Sequence, residues 1–136
     1  MKSIKDFYVG QTAELTHQYS ENDVNMFADI SGDHNPIHLD AEYAKDSIFG
    51  KKIVFGFLSG SLISAVLGNV LPGEGSIYMN QTLSFLRPVF IGDTITAKVV
   101  ISEINEEKKR ILLDTVCTNQ NGKTVIEGSA LMYYPY

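Results

Sequence analysis

From Ile53 to Gly73 the chain carries no charged residue, and from Phe55 to Leu71 it is apolar nearly all round, with Gly60, Ser64, Ala65 and Gly68 as its small residues. A helix of this composition has no polar face to offer water, so other elements must cover most of its sides. At about 1.5 Å per residue it is about 25 Å long, the width of a small domain. The rest of the chain must therefore provide a wrapping layer. A membrane span is the competing reading of so apolar a run. Ser59, Ser61, Ser64 and Asn69 within it and Pro72-Gly73 at its end favour a buried core helix instead.

The wrapping layer is legible as strands. Gln11 to Tyr19 places Ala13, Leu15, His17 and Tyr19 on one side and Thr12, Glu14, Thr16 and Gln18 on the other, the pattern of a half-buried strand. His17 is expected to be a partly exposed sheet residue with no role in chemistry. Ser76 to Leu86, Thr94 to Ile104, Arg110 to Thr118 and Thr124 to Tyr134 alternate in the same way. Asn105-Glu106-Glu107-Lys108 and Asn119-Gln120-Asn121-Gly122 join the last three, and Asn-Gly is a hairpin signal. Strands joined by tight turns pair antiparallel. The fold class is therefore α+β, a curved antiparallel sheet wrapped around one long central helix.

A chain of 136 residues with 44% hydrophobic content suits one compact domain over residues 1–136. The net charge of −5 and the scattered Lys and Arg residues leave no basic stripe, which excludes nucleic acid and anionic membrane as partners. Cys117, the single cysteine, allows no internal disulfide or thiolate metal cluster and reads as a packing residue in its strand. The N-terminal residues lack the apolar core of a signal peptide, and the expected setting is the reducing cytoplasm.

Before the core helix, Ser20-Glu21-Asn22-Asp23 reads as a helix start, Val24, Phe27, Ala28 and Ser31 share one face, and Gly32 marks the stop. This helix delivers the chain into Asp33-His34-Asn35-Pro36-Ile37-His38. Asp33 and His38 are five residues apart, so on one helix they would point about 140° from each other, and on a strand to opposite faces. Only an irregular turn brings them together, and Pro36 favours one. A converging carboxylate and imidazole can hold a water between them and exchange protons with it near neutral pH. As a bare motif, the same residues are also ordinary turn chemistry, satisfying local backbone groups. Asp40 is expected to cap a short helix, and Lys51-Lys52 to mark an exposed corner, the nearest positive charge for an anionic phosphate tail.

Ser31-Gly32-Asp33-His34-Asn35-Pro36-Ile37-His38, then Ile53-Val54-Phe55-Gly56, then Ser84-Phe85-Leu86-Arg87-Pro88-Val89-Phe90-Ile91-Gly92-Asp93 resembles the MaoC-like hydratases, specifically the single-domain (R)-specific enoyl-CoA hydratases, over nearly the whole chain. The resemblance implies the hot-dog fold and a homodimer whose sheets continue edge to edge, with each active site at the subunit interface. It implies reversible syn hydration of a trans-2-enoyl-CoA to the (R)-3-hydroxyacyl-CoA. No metal or redox cofactor is implied, coenzyme A being part of the acyl-CoA thioester substrate.

By position, Asp33 and His38 match the catalytic acid/base pair of that family, and Asn35 the motif asparagine that orients water or thioester. Gly56 matches the glycine whose N–H meets the thioester oxygen at the helix N-terminus, and Ser64 a serine near the dyad. Phe55 departs from the pattern, since the family usually carries His there, and this change is expected to reshape the thioester end. His34 is expected to be a loop residue. A hot-dog thioesterase and a non-catalytic acyl-thioester binding module are the competing readings; the Asp-to-His spacing opposes the first, and Phe55 keeps the second open.

Overall fold

The computed structural model describes residues 2–136. A 3-10 turn (Ile4–Asp6) leads into β1 (Thr12–Gln18), and four helices follow: α1 (Glu21–Ser31), α2 (Pro36–Leu39), α3 (Ala41–Lys45) and α4 (Gly56–Asn69). The chain ends in β2 (Ile77–Gln81), β3 (Ser84–Phe85), β4 (Thr94–Asn105), β5 (Arg110–Thr118) and β6 (Thr124–Tyr133). Every pairing is antiparallel, in the spatial order β1-β4-β5-β6-β2, with β3 also on β6.

The central helix and sheet expected from the sequence are both present. α4 packs on β1, β4 and β5. Ile63, Val66 and Leu67 of the helix meet a layer that includes Ile95, Ala97 and Val99 of β4 and Ile111 and Leu113 of β5, all fully buried. Each large aliphatic side chain so buried contributes roughly 1.5–3 kcal/mol relative to exposure. This is the α+β hot-dog arrangement. Cys117 lies in the same layer, where burial pushes its thiol up to about 12, so it is a packing residue and no nucleophile at neutral pH. Among the described residues no helix is long and apolar enough to cross a membrane.

Two expectations are corrected. The single strand over Ser76 to Leu86 is two, because the chain bulges between Tyr78 and Asn80 and breaks after Gln81 before β3 rejoins β6. Gly128 of β6 permits this crossing: a Cβ there would lie 1.8 Å from the Thr82 carbonyl oxygen, far inside contact distance. The second correction concerns α4, which is not covered all round within one chain. Phe57, Ser61, Ser64 and Gly68 lie on an exposed stripe of α4, and the neighbouring β2 leaves Ile77 and Met79 about half exposed. The sheet covers one side of the helix, and among the described residues nothing covers the exposed stripe.

Candidate active site

α1 is pinned at both ends. Ser20 and Asp23 form a reciprocal capping box, and Asp23 Oδ2 also meets His17 Nε2 at 2.9 Å. The Ser20 backbone N–H first, and then His17, hold the Asp23 carboxyl below its usual range. His17 therefore has a partner six residues on, which its position in a strand did not suggest. At the other end Gly32 takes φ +76°, a left-handed conformation that favours glycine, and its N–H donates to the Ala28 carbonyl at 3.0 Å.

The chain leaves this stop directly into Asp33. Asp33 Oδ1 accepts the Asn35 N–H at 3.1 Å, and Asn35 Oδ1 accepts the Ile37 N–H at 3.4 Å, capping α2. The turn is therefore shorter than a continuous loop to His38. Pro36 starts a helix here instead of preventing one, because at the first helical position a missing N–H costs nothing. One turn later α2 presents His38, which is only 9% exposed. Its Nδ1 lies 2.7 Å from the Ile53 carbonyl oxygen. A carbonyl can only accept, so Nδ1 carries the hydrogen and Nε2 of the neutral ring is left as an acceptor.

Asp33 and His38 thus approach from different elements and line one cavity of about 500 Å³. No hydrogen bond or ion pair joins them, and among the described residues Asp33 Oδ2 meets no donor. The volume suits a small-molecule site. Phe27, Phe49, Phe85, Leu86 and Val89 make its walls largely apolar. Gly56, the first residue of α4, is also in the wall, and no side chain caps that helix end. The start of a helix carries N–H groups without helical partners and the positive end of the helix dipole, and here it lies in the wall of a site holding a carboxylate and an imidazole. The arrangement can deprotonate a bound water and stabilise a developing oxyanion.

Of the other residues singled out in the sequence, Asn35 does not line the cavity, and its side-chain oxygen caps α2. Ser64 is placed elsewhere, exposed in a separate groove of about 430 Å³ beside Tyr78 and Gln81. The reason is helical geometry: eight residues beyond Gly56 it is about 80° round the helix and about 12 Å along it. Ser59 takes the position near the dyad. It is 1% exposed and lines the cavity, with its hydroxyl 3.1 Å from the Gly56 carbonyl and 3.3 Å from that of Phe55. The three-residue spacing from Gly56 was the available signal.

Neither Lys51 nor Lys52 lines the cavity; Lys51 sits 4.4 Å over the Phe90 ring and Lys52 pairs with Glu21. Arg87 is the cation in the wall, its Nη1 donating to the Thr124 carbonyl at 2.6 Å. In the sequence it stood within the Ser84 to Asp93 motif with no role assigned to it. His34 is a loop residue, its Nδ1 3.0 Å from the Gly32 carbonyl oxygen. Among the described residues no group of three or more His, Cys, Asp or Glu side chains is placed to hold a metal ion.

A sheet around one helix, with an Asp and His pair set against that helix's N-terminus, defines a hot-dog protein with a hydratase-type cavity. Residues 7–123 match the family model described as a MaoC like domain, and the chain belongs to that family. It is 47% identical over 131 residues to the (R)-specific enoyl-CoA hydratase of Rhodospirillum rubrum, covering 96% of this chain and 90% of that protein. The solved (R)-hydratase of Aeromonas caviae superposes with a TM-score of 0.93 at 41% identity, over 96% of this chain and 99% of that one. The R-hydratase of Pseudomonas aeruginosa also gives 0.93, at 44% identity over 98% of this chain and 85% of that one.

Proposed function

We propose that this protein is an (R)-specific enoyl-CoA hydratase, a hydro-lyase acting as one MaoC-like domain on acyl-CoA thioesters. The observation that carries the proposal is the convergence of Asp33 and His38 in one apolar cavity at the uncapped start of α4. The activity named for its relatives at 41% and 47% identity agrees with it. Asp33 and His38 act as a coupled unit on one water. As its oxygen bonds to C3, the unit takes a proton, and the alkene electrons pass to the thioester oxygen, which the Gly56 N–H stabilises. The enolate then collapses as the unit returns a proton to C2 on the same face. Every electron pair and proton in this sequence is supplied by substrate, water and the two side chains, so the reaction calls for no metal or redox cofactor. Asn35 supports the site through the α2 cap. The lone buried cysteine and the absence of a basic stripe support a cytoplasmic enzyme without nucleic acid or membrane partners.

The assay is crotonyl-CoA with the protein, following alkene absorbance and free thiol together. Alkene loss without thiol release is expected. Thiol release would make the protein a thioesterase, and neither signal would make it a binding module.

The homodimer belongs to the same proposal. β2 is an edge strand that leaves Ile77 and Met79 about half exposed, and Phe57 on the adjoining α4 is 71% exposed. An apolar, unpaired edge is a liability that a second copy removes by continuing the sheet. Light scattering at micromolar concentration should give about twice 15.1 kDa; a mass near one chain would exclude the dimer.

A further inference from the structure

A single hydrogen bond from Nδ1 to the Ile53 carbonyl decides which imidazole nitrogen carries the proton, but it does not fix the plane of the ring. The χ2 torsion of histidine is broad, so a second constraint is needed. Phe55 supplies it. Its ring centroid lies 3.9 Å from that of the His38 imidazole with the planes 30° apart. Phe55 is itself held, being 2% exposed and packed against Phe27 at 4.9 Å. It is also the N-cap residue of α4, so the residue under the imidazole is joined directly to Gly56. Ile53 to Gly56 therefore hold His38 by its nitrogen and by its face while delivering the free helix end to the same cavity.

We propose that Phe55 is a positioning residue: its ring face fixes the plane of the His38 imidazole, so that Nδ1–H stays on Ile53 and Nε2 stays in register with the backbone N–H of Gly56. The proposal rests on the reading of His38 as the acid/base group. The departure at position 55 puts an apolar ring in the cavity lining, directly against the imidazole. It replaces the support beneath the imidazole with a ring that stacks and makes no hydrogen bond of its own. A flat face is the property that matters, because an aliphatic chain of similar volume fills the space and leaves the imidazole free to tilt. Displacements of about 1 Å in a catalytic group can cost about 10²-fold in rate.

Phe55→Leu, with crotonyl-CoA as substrate, should lower kcat about tenfold or more while KM stays within about twofold. Phe55→His, which restores a flat ring, should recover most of that loss. Proton NMR supplies the readout that general destabilisation would not move: the slowly exchanging Nδ1–H signal of His38, present in the parent, should be lost in Phe55→Leu and return in Phe55→His. Parental kcat and an intact Nδ1–H signal in Phe55→Leu would overturn the proposal. So would a lower kcat with the signal unchanged and no recovery in Phe55→His. If Phe55→Leu does not fold, Phe55→Met, which also conserves volume, is read against the same outcomes. His38→Gln is the control, since full activity there would remove the underlying reading, whereas an inactive His38→Gln beside a fully active Phe55→Leu would remove only the role of Phe55.

Discussion

Asp33→Asn and His38→Gln are each expected to lower kcat by about 10²–10⁴, the scale of general acid–base catalysis. The two side chains reach the cavity from different elements, one from the end of α1 and the other from α2, and neither bonds to the other. That leaves the space between them for a water that must lose one proton and receive another within a single syn addition. Removing either group disables the exchange, so the double variant should be scarcely slower than the slower single one. Stability should change little. Asn at position 33 keeps an oxygen for the Asn35 N–H, and Gln at position 38 leaves the Ile53 carbonyl within reach of an amide donor. Melting near that of the parent, together with retained binding of a substrate thioester, would separate lost chemistry from lost folding. Full hydratase activity in either single variant would make the Asp33 to His38 segment an ordinary turn and move the active site elsewhere.

The architecture could be read in advance because two periodicities were unambiguous. The charge-free run, interrupted by serines and closed by Pro72-Gly73, favoured a covered helix over a membrane span, and the alternation in Arg110 to Thr118 gave β5 to the residue. The local device at Asp33 was legible for a similar reason. Gly32 admits a left-handed backbone that other residues rarely adopt, Pro36 has a fixed φ and no N–H, and the structure uses both properties. What the sequence did not reveal depends on contacts between distant segments. His38 is tied to a carbonyl fifteen residues on and rests on the ring of Phe55, and no local pattern records either contact. Ser64, matched by motif position, lies about 80° round the helix from Gly56 and lines a separate groove of the single chain, which motif position does not record. The open side of α4 was missed because apolar composition shows that a helix is to be covered but not which chain covers it.

Gly56→Val is expected to reduce turnover by about 10² or more, the loss that follows removal of one oxyanion donor. Gly56 begins α4 in the cavity wall, and no side chain caps the helix, so the N–H groups of its first turn lack helical partners. The position also has no room: a Cβ would lie 2.7 Å and 2.9 Å from two atoms of the Phe85 ring. Phe85 is 52% exposed, so its ring can swing aside, and the fold should survive the substitution. Two causes of a slower enzyme must then be distinguished, a displaced Phe85 in the cavity wall and a blocked approach to the backbone N–H. Gly56→Val in a Phe85→Ala background distinguishes them, because the clash is gone while the branched side chain still crowds the amide. If that double variant stays slow against Phe85→Ala alone, the loss belongs to the N–H. Recovery to the rate of Phe85→Ala would assign the effect to the ring, and unchanged kinetics in a folded Gly56→Val would remove Gly56 from the mechanism altogether.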